Sequence, residues 1–330
     1  MKSKLKSSAV LVASAIAAIG GAVDASAQQA NPWVFTGGAS TTALSYKNAI
    51  NRDSVAETGL VVDANSALEG GIGGGISRST VKNKNGVATL NQTNKHLSGR
   101  TYQIQGMDGG KMTYRLDYLT ADNNDSTRLT DDVKAWAPKL SYVNAKGDLI
   151  LDFEYATTKY QQSLNVKQYA PKVTWAVNDF YDYLSLKAVS QKIDTNGTPS
   201  RSMGLSAASS LEASWTHFNA KSSDQWIPSS YTVTAMTGKR MYYVNTDAGS
   251  ISNLSHQTGQ SLSFGANWTL AKDLFLSAMV GSGKHREDDT RTASVQIANP
   301  IPGLPPLTRN PPNGNSYTST FINVGINAVF

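Results

Sequence analysis

Eight charged side chains recur on the polar face of alternating segments, namely Arg115, Asp117, Lys139, Asp152, Glu154, Lys172, Lys187 and Glu212. Acids and bases that share a wet enclosure set an electric field that filters solutes by charge and diameter. The pattern therefore predicts that these residues line a water-filled lumen. The alternative is a filled interior in which the same charges only pair with one another.

Catalysis is the second chemistry to consider, and the four histidines are its candidates. Ser255 and His256 are neighbours in sequence, so on a strand they point to opposite faces and cannot pair directly. The chain also lacks the G-x-S-x-G motif in which many hydrolases present their serine. We therefore predict no enzyme activity, no catalytic residue and no cofactor.

Metal binding is only weakly signalled. The run Asp122-Asn123-Asn124-Asp125 is similar to the start of a calcium loop, but Thr127 stands where that loop needs glycine. The chain has no cysteine, which excludes thiolate ligands, a thiol nucleophile and disulfide bonds. We predict no metal site; the pairs Asp131-Asp132 and Asp288-Asp289 fit solvated loops or divalent bridges to lipopolysaccharide.

The elements that must position these residues are strands with a period of two. The last segment is the clearest, because Ile322, Val324 and Ile326 fall on one face and Asn323 and Asn327 on the other. A strand this long spans a bilayer when tilted, at about ten residues per crossing. Similar alternation recurs along the chain with turn residues between the segments.

The segment from 316 to the terminal Phe330 resembles the last strand of Gram-negative outer-membrane β-barrel proteins, which ends in an aromatic residue. That resemblance implies recognition by the barrel assembly machinery, contact with outer-membrane lipid and lipopolysaccharide, and a porin-like fold. Aromatic residues near strand ends fit a membrane-interface girdle. The residues assigned to that girdle are Trp136, Trp175, Trp268 and Phe330.

Long strands and alternating short and long connections favour a barrel over a β-sandwich. We predict an all-β fold, a closed antiparallel transmembrane barrel of about 14 strands, within a range of about 12–16, with short periplasmic turns and long extracellular loops. The segment 200–257 is the hardest to divide into strands. A repeated Ala-Pro-Lys motif places Pro138 and Pro171 inside strands, where we expect a bulge or a strand end.

Two long connections are candidates for closing such a lumen. The connection 287–316 holds six of the eleven prolines, and Arg291, Pro305 and Arg309 are its candidate constriction residues. The connection 221–257 is the second candidate lid, and its stretch 239–243 is expected to form a hairpin above the membrane. Rigid, proline-rich loops also serve as plain surface loops.

The N-terminus predicts export. Lys2, Lys4 and Lys6 precede an apolar stretch and the cleavage signal Ala25-Ser26-Ala27, so residues 1–27 are a cleaved signal peptide and 28–330 a single barrel domain. Only 16% of residues are charged, and the net charge of +6 is scattered, which argues against nucleic acid as a partner.

These features imply an outer-membrane channel for passive or weakly selective diffusion of small hydrophilic solutes. Two alternatives stay open. The first is a non-conducting barrel that acts as an adhesin, a receptor or a scaffold for a partner protein. The second is a barrel lipid hydrolase. The sequence does not specify the solute or the oligomeric state.

Overall fold

The described residues of the computed structural model are 33–50, 52–66, 70–84, 88–105, 109–125, 130–161, 164–196, 205–219, 226–252, 256–287, 295–297, 307–309 and 315–330. The predicted signal peptide lies outside them. These ranges contain no helix that is long and apolar enough to cross a membrane.

Fourteen antiparallel strands close into one barrel, as the alternation predicted. In chain order they are β1 Trp33–Lys47, β2 Arg52–Ser66, β3 Gly70–Asn83, β4 Leu90–Gln105, β5 Gly110–Asn123, β6 Val133–Val143, β7 Leu149–Lys159, β8 Asn165–Val177, β9 Asp182–Asp194, β10 Ala207–Phe218, β11 Ser230–Arg240, β14 His256–Ala271, β15 Leu274–Glu287 and β18 Asn315–Val329. Two small hairpins are separate from the wall and, within the described residues, pair with none of its strands: β12 Val244–Asn245 with β13 Ser250–Ile251, and β16 Val295–Ile297 with β17 Leu307–Arg309.

Each wall strand pairs with its neighbours in sequence, and the barrel closes between β1 and β18. That seam pairs Thr36 with Val329 and continues in register to Lys47 and Thr318. Phe330 donates its N–H to the Phe35 carbonyl at 2.8 Å and accepts the N–H of Phe35 at 3.4 Å. The barrel wall therefore has no free sheet edge, which is what a wall surrounded by hydrocarbon requires.

The alternation sorts side chains to two faces of the wall. Large apolar side chains are exposed on the outer face, and they include Leu60, Val62, Ile72, Leu97, Leu116, Leu151, Phe153, Leu186, Leu211, Leu262, Phe264 and Ile322. An apolar belt of this extent is unsuited to water and suited to lipid. The inner face carries the intervening, mostly polar residues.

The two ends of the barrel differ. One end, here the turn end, has both chain termini of the barrel and connections at 67–69, 106–109, 144–148, 178–181, 219–229 and 272–273. The other, the loop end, has the connections 48–51, 84–89, 124–132, 160–164, 195–206, 241–255 and 288–314. Most turns are as short as predicted, but 219–229 is longer.

Three sequence-based expectations need correction. The connection predicted at 221–257 contains a wall strand, β11, whose outer face alternates Tyr231, Val233 and Ala235. The sequence also predicts a long polar connection over residues 80–95, but strands β3 and β4 extend into it and leave only 84–89 between them. Pro138 and Pro171 mark neither a bulge nor a strand end.

Both prolines lie inside continuous strands that keep their register. Cα pairing between β6 and β7 stops at Trp136 and resumes at Lys139, while that between β8 and β9 stops at Tyr169 and resumes at Lys172. Proline has no N–H to donate, so each proline leaves a gap in the ladder on one side only. The strand continues because the other neighbour still pairs with it.

Candidate functional site

The connection between β11 and β14 folds into the barrel instead of standing above it. Residues 241–252, here the inner hairpin, contain β12 and β13 joined by a turn at 246–249. The turn is closed by the N–H of Gly249, which donates to the Thr246 carbonyl at 3.2 Å, and Gly249 has a positive φ of 59°. The expected hairpin at 239–243 is therefore wrong in both place and bounds, since Lys239 and Arg240 belong to β11.

Two glutamines of the wall hold the backbone of the inner hairpin. Gln168 accepts the N–H of Val244 at 3.2 Å and donates to its carbonyl at 2.9 Å. Gln191 does the same for Met241, at 3.1 and 2.8 Å. Both glutamine side chains are buried, with 1% of each residue exposed. The two amides replace the neighbouring strand that this stretch of backbone lacks, so its buried polar groups are satisfied.

Apolar contacts seat the hairpin on the same wall. Met241, Tyr242, Val244 and Ile251 join a buried cluster on the inner face of β5 to β10. The wall side of this cluster consists largely of small or β-branched side chains, among them Ala121, Val133, Ala135, Ala137, Ala156, Val166, Ile193 and Ala208. Small residues leave the space that the hairpin fills, and burial of its apolar side chains stabilises the docked position.

Charged groups hold the tip of the hairpin. Arg115 donates to the Thr246 carbonyl at 2.8 Å and pairs with Asp247 at 3.3 Å, and Lys139 pairs with Asp247 at 3.2 Å. The Thr246 hydroxyl donates to the Glu154 carboxylate at 2.5 Å. These bonds connect the tip to β5, β6 and β7.

The ionisation of Asp247 is strongly biased. Its enclosure in the barrel would raise the pKa of the carboxyl, but Lys139, Lys187 and Arg115 surround it and hold that pKa well below its usual range. The Asp247 side chain is still 47% exposed, so it faces open space inside the barrel. It carries its negative charge at any physiological pH.

The eight charged residues predicted from the sequence all lie on the inner face, and most have partners. Asp117 accepts from Arg115 at 2.8 Å, and Lys187 donates to the Tyr243 hydroxyl at 2.9 Å. The remaining pairs are Lys172 with Asp152 at 3.9 Å and Glu212 with Arg240 at 2.8 Å. Their contacts attach them to one another or to the inner hairpin, and their part in permeation stays a prediction.

The opposite part of the inner face has a different character. We call the inner face of β14, β15, β18 and β1 the bare wall. Most of its side chains are small, uncharged and half-buried, and Leu44, Phe275, Met279 and Phe321 are the large apolar exceptions. The small ones include Thr36, Gly38, Ser40, Thr42, Ser261, Ser263, Asn267, Ser277, Gly281, Asn323 and Asn327. In the described parts of these four strands, the acidic or basic inner residues are confined to His256, His285 and Glu287 at the loop end. Partial exposure on the inside of a closed barrel means that water reaches this face.

A polar cluster closes the loop end of the bare wall. Arg52 contacts His256 Nδ1 at 2.5 Å and donates to the Tyr317 hydroxyl at 3.0 Å. His285 Nε2 is 2.7 Å from the Ser319 hydroxyl, and its Nδ1 is 3.1 Å from the Thr258 hydroxyl. A hydroxyl therefore stands where a catalytic serine–histidine pair needs a carboxylate, and Ser319 is only 3% exposed.

The other two histidines each contact a carboxylate. His96 on the inner face contacts Asp117 at 2.7 Å, and His217 near the turn end contacts Asp182 at 2.9 Å. Across the described ranges, no three His, Asp or Glu side chains converge as metal ligands would.

The predicted girdle aromatics lie near strand ends. Trp136 is exposed near the loop end, and Trp175 and Phe330 are exposed near the turn end. Trp268 is half-buried near the turn end, where it donates to the Trp226 carbonyl at 3.2 Å. Of the predicted constriction residues, Arg291 and Pro305 lie outside the described residues, and Arg309 is described only as backbone in β17.

The sequence contained one signal for the inner hairpin. Inner positions of a wet barrel should be polar, yet Ala135, Ala137 and Ala156 follow one another on the inner face of adjacent strands. An apolar stretch on the polar face indicates that another part of the chain packs there.

Neither protein-family models nor curated protein sequences gave a match to this chain. Solved barrel structures do. The Pseudomonas putida toluene transporter TodX aligns with a TM-score of 0.48 and 8% identity over 91% of this chain and 90% of its own. Salmonella typhi OmpF aligns with a TM-score of 0.43 and 10% identity over 90% and 97%. A bacterial polysaccharide outer membrane secretin aligns with a TM-score of 0.47 and 9% identity over 91% and 99%. The fold of this chain is established by its own strand pairing.

Proposed function

We propose that this protein is an outer-membrane channel through which small hydrophilic solutes diffuse. The observation that carries the proposal is the one-sided seating of the inner hairpin. It is attached to the inner face of β5 to β10, and the water-accessible bare wall stands across from it. The solute path runs between the hairpin and the bare wall.

The bare wall suits uncharged polar solutes. Its hydroxyl and amide groups can exchange hydrogen bonds with a passing solute. The cluster around Asp247 pairs most of its cations with anions inside the protein, so diameter selects more than charge does. A barrel of about fourteen strands lies between the side-chain-filled eight-stranded class and the open sixteen-stranded class. The inner hairpin occupies part of this lumen and so reduces the width of the solute path.

The proposal includes orientation. The turn end faces the periplasm and the loop end faces outside, because short periplasmic turns and longer external loops are typical of these barrels. Export through the cleaved leader 1–27 delivers the chain to that membrane.

Single-channel recording on single-cysteine variants tests the path. The chain has no cysteine, so each engineered thiol is unique. A bulky, water-soluble thiol reagent should reduce the conductance of Asn323→Cys on the bare wall by about half. It should leave Ala137→Cys unchanged, because Ala137 is 0% exposed beneath the hairpin.

A wild-type protein without conductance would contradict the channel and favour the adhesin or receptor class. If the protein conducts and only Ala137→Cys responds, the solute path runs between the hairpin and β5 to β10, which contradicts a path along the bare wall.

A further inference from the structure

Four lysines form a patch on the outer face at the loop end of four adjacent strands. Lys134, Lys159, Lys167 and Lys192, here the lysine patch, are all exposed. Lys134 is the direct cross-strand partner of Lys159, and Lys167 that of Lys192. Two like-charged pairs therefore stand side by side on β6 to β9.

This arrangement is unfavourable by itself. Like charges placed directly opposite one another in a sheet repel and destabilise it. Lys134 has an acidic partner, Asp132, at 2.9 Å. Among the described residues, no ion pair joins Lys159, Lys167 or Lys192 to an acid. An anionic ligand would relieve the repulsion.

An apolar groove lies on the same outer face, nearer the turn end. It has a volume of about 640 Å³, and Phe153, Tyr169, Pro171, Ala188 and Leu211 contribute to its lining. The groove coincides with the ladder gap at Pro171, where Cα pairing with β9 stops. Ala188 and Ser190 add little bulk to its floor.

The lysine patch and the groove follow one another along the same two strands, β8 and β9. Lys167 lies two residues from Tyr169 and four from Pro171 on β8, and Lys192 lies four residues from Ala188 on β9. At a strand rise of ~3.3 Å per residue, about 13 Å of strand separate the Cα atoms of Lys167 and Pro171. The Tyr155–Tyr169 pair, with ring centres 5.1 Å apart, lies between these two positions at the edge of the groove that faces the lysine patch.

We infer that this surface binds a phosphorylated, multiply acylated glycolipid of the outer leaflet. The lysine patch holds its phosphates as point charges, and one acyl chain lies in the groove. A second outer groove at Trp175, Leu186 and Trp215 lies beside Asp182 and, among the described residues, has no comparable group of lysines, so it offers a place for an acyl chain but not for the phosphates.

The inference rests on the outer-membrane location proposed above but not on conduction. Lipid binding and conductance are measured separately. A channel that conducts without binding the glycolipid refutes the lipid site alone, and a barrel that binds it without conducting refutes the channel alone.

The test is native mass spectrometry of the detergent-refolded protein, residues 28–330, titrated with lipid A. The triple variant Lys159→Gln, Lys167→Gln, Lys192→Gln should bind lipid A at least about ten-fold more weakly than the wild type. The matched control replaces Lys47, Lys82 and Lys284, which are exposed on the outer face elsewhere around the loop end, and should stay within about two-fold.

A second variant tests the groove. Ala188→Trp should weaken binding of lipid A but not of its deacylated, phosphorylated disaccharide. Unheated gel mobility checks that every variant is folded.

Three outcomes would overturn the inference: equal lipid A affinity in the triple variant and its control, equal affinity for phosphatidylglycerol and lipid A, or displacement of lipid A by inorganic phosphate alone.

Discussion

Two halves of the same barrel wall treat their interiors in opposite ways. On β5 to β10 the inner face is apolar toward the loop end and charged below it, and the inner hairpin covers both zones. On β14, β15, β18 and β1 the inner face below the loop end is uncharged and carries mostly small polar side chains, and water reaches it. The strand alternation is the same in both halves, so the difference lies in which side chains occupy the inner positions.

The comparison shows that the charged residues of the inner face hold the inner hairpin in place. Arg115, Lys139 and Glu154 bind the hairpin tip, and Lys187 binds Tyr243. Burial of charges is costly unless they are paired and hydrogen-bonded, and these are. The part of the wall whose ionisable inner residues are confined to the loop end is the part that remains accessible.

Replacing residues 241–255 by a short glycine-serine turn should erase the difference between the halves. Without the hairpin the lumen widens, and single-channel conductance should rise about three-fold. Planar-bilayer recording measures it. The matched control shortens the connection 288–314, the constriction predicted from the sequence. A larger increase from that control than from hairpin removal would return the constriction to the proline-rich loop.

Asp247→Asn alters the charge balance at the hairpin tip without removing the hairpin, so it separates the effect of charge from that of width. One anion fewer leaves Arg115 and Lys139 in excess, so the reversal potential in a salt gradient should move toward anion preference. Because half of the Asp247 side chain is exposed, the stability loss should be no more than about 1 kcal/mol. Asp273→Asn at the turn end is the control and should leave selectivity unchanged.

The same residue predicts a pH dependence. The carboxyl pKa of Asp247 is lowered in the folded protein, so its contribution to stability is present above the unfolded value, about 3.9, and is lost as pH falls through the folded value. The difference in selectivity between the wild type and Asp247→Asn should therefore stay constant from about pH 7 down to about pH 3.5. A difference that disappears near pH 4 would mean that Asp247 titrates at its ordinary value and is not held in this cluster.

The smallest effect is expected from Gly249→Ala. A Cβ there would lie 2.8 Å from His96 Nδ1, and the positive φ adds strain of about 1 kcal/mol. The hairpin tip should loosen, which open-channel current noise would report. Gly147→Ala shares a positive φ but has Phe180 at 3.8 Å as its nearest contact. It should lose similar stability without added noise, and equal noise in both variants would rule out the His96 contact as the cause.

The sequence predicted the wall and missed what fills it. Alternation marked the last strand and the closed antiparallel class, because the lipid and lumen faces of those segments differ sharply in polarity. It missed β11, whose inner Thr232 and Thr234 and outer Val233 and Ala235 differ little. Threonine is acceptable on either face, so the contrast that reveals a strand is weak there.

The inner hairpin was out of reach for a different reason. Its position depends on Gln168 and Gln191, which lie 76 and 50 residues away in sequence from the residues that they bind. In the sequence both look like ordinary polar lumen residues. Period and composition describe single segments and do not pair distant ones. The expectation of a bulge or strand end at the prolines failed for a similar reason. A gap on one side of Pro171 is tolerated because β7 pairs with the other side of the strand.

The seam between β1 and β18 has a consequence for how long the folded state lasts. The chain is without disulfides, yet its first and last wall strands are bonded from Phe35 and Phe330 to the loop end. In hydrocarbon, each backbone group left unpaired costs several kcal/mol, so the seam cannot open one residue at a time without a steep rise in free energy. Unfolding within a membrane is therefore limited by a high barrier, and the persistence of the barrel is kinetic, set by its closure.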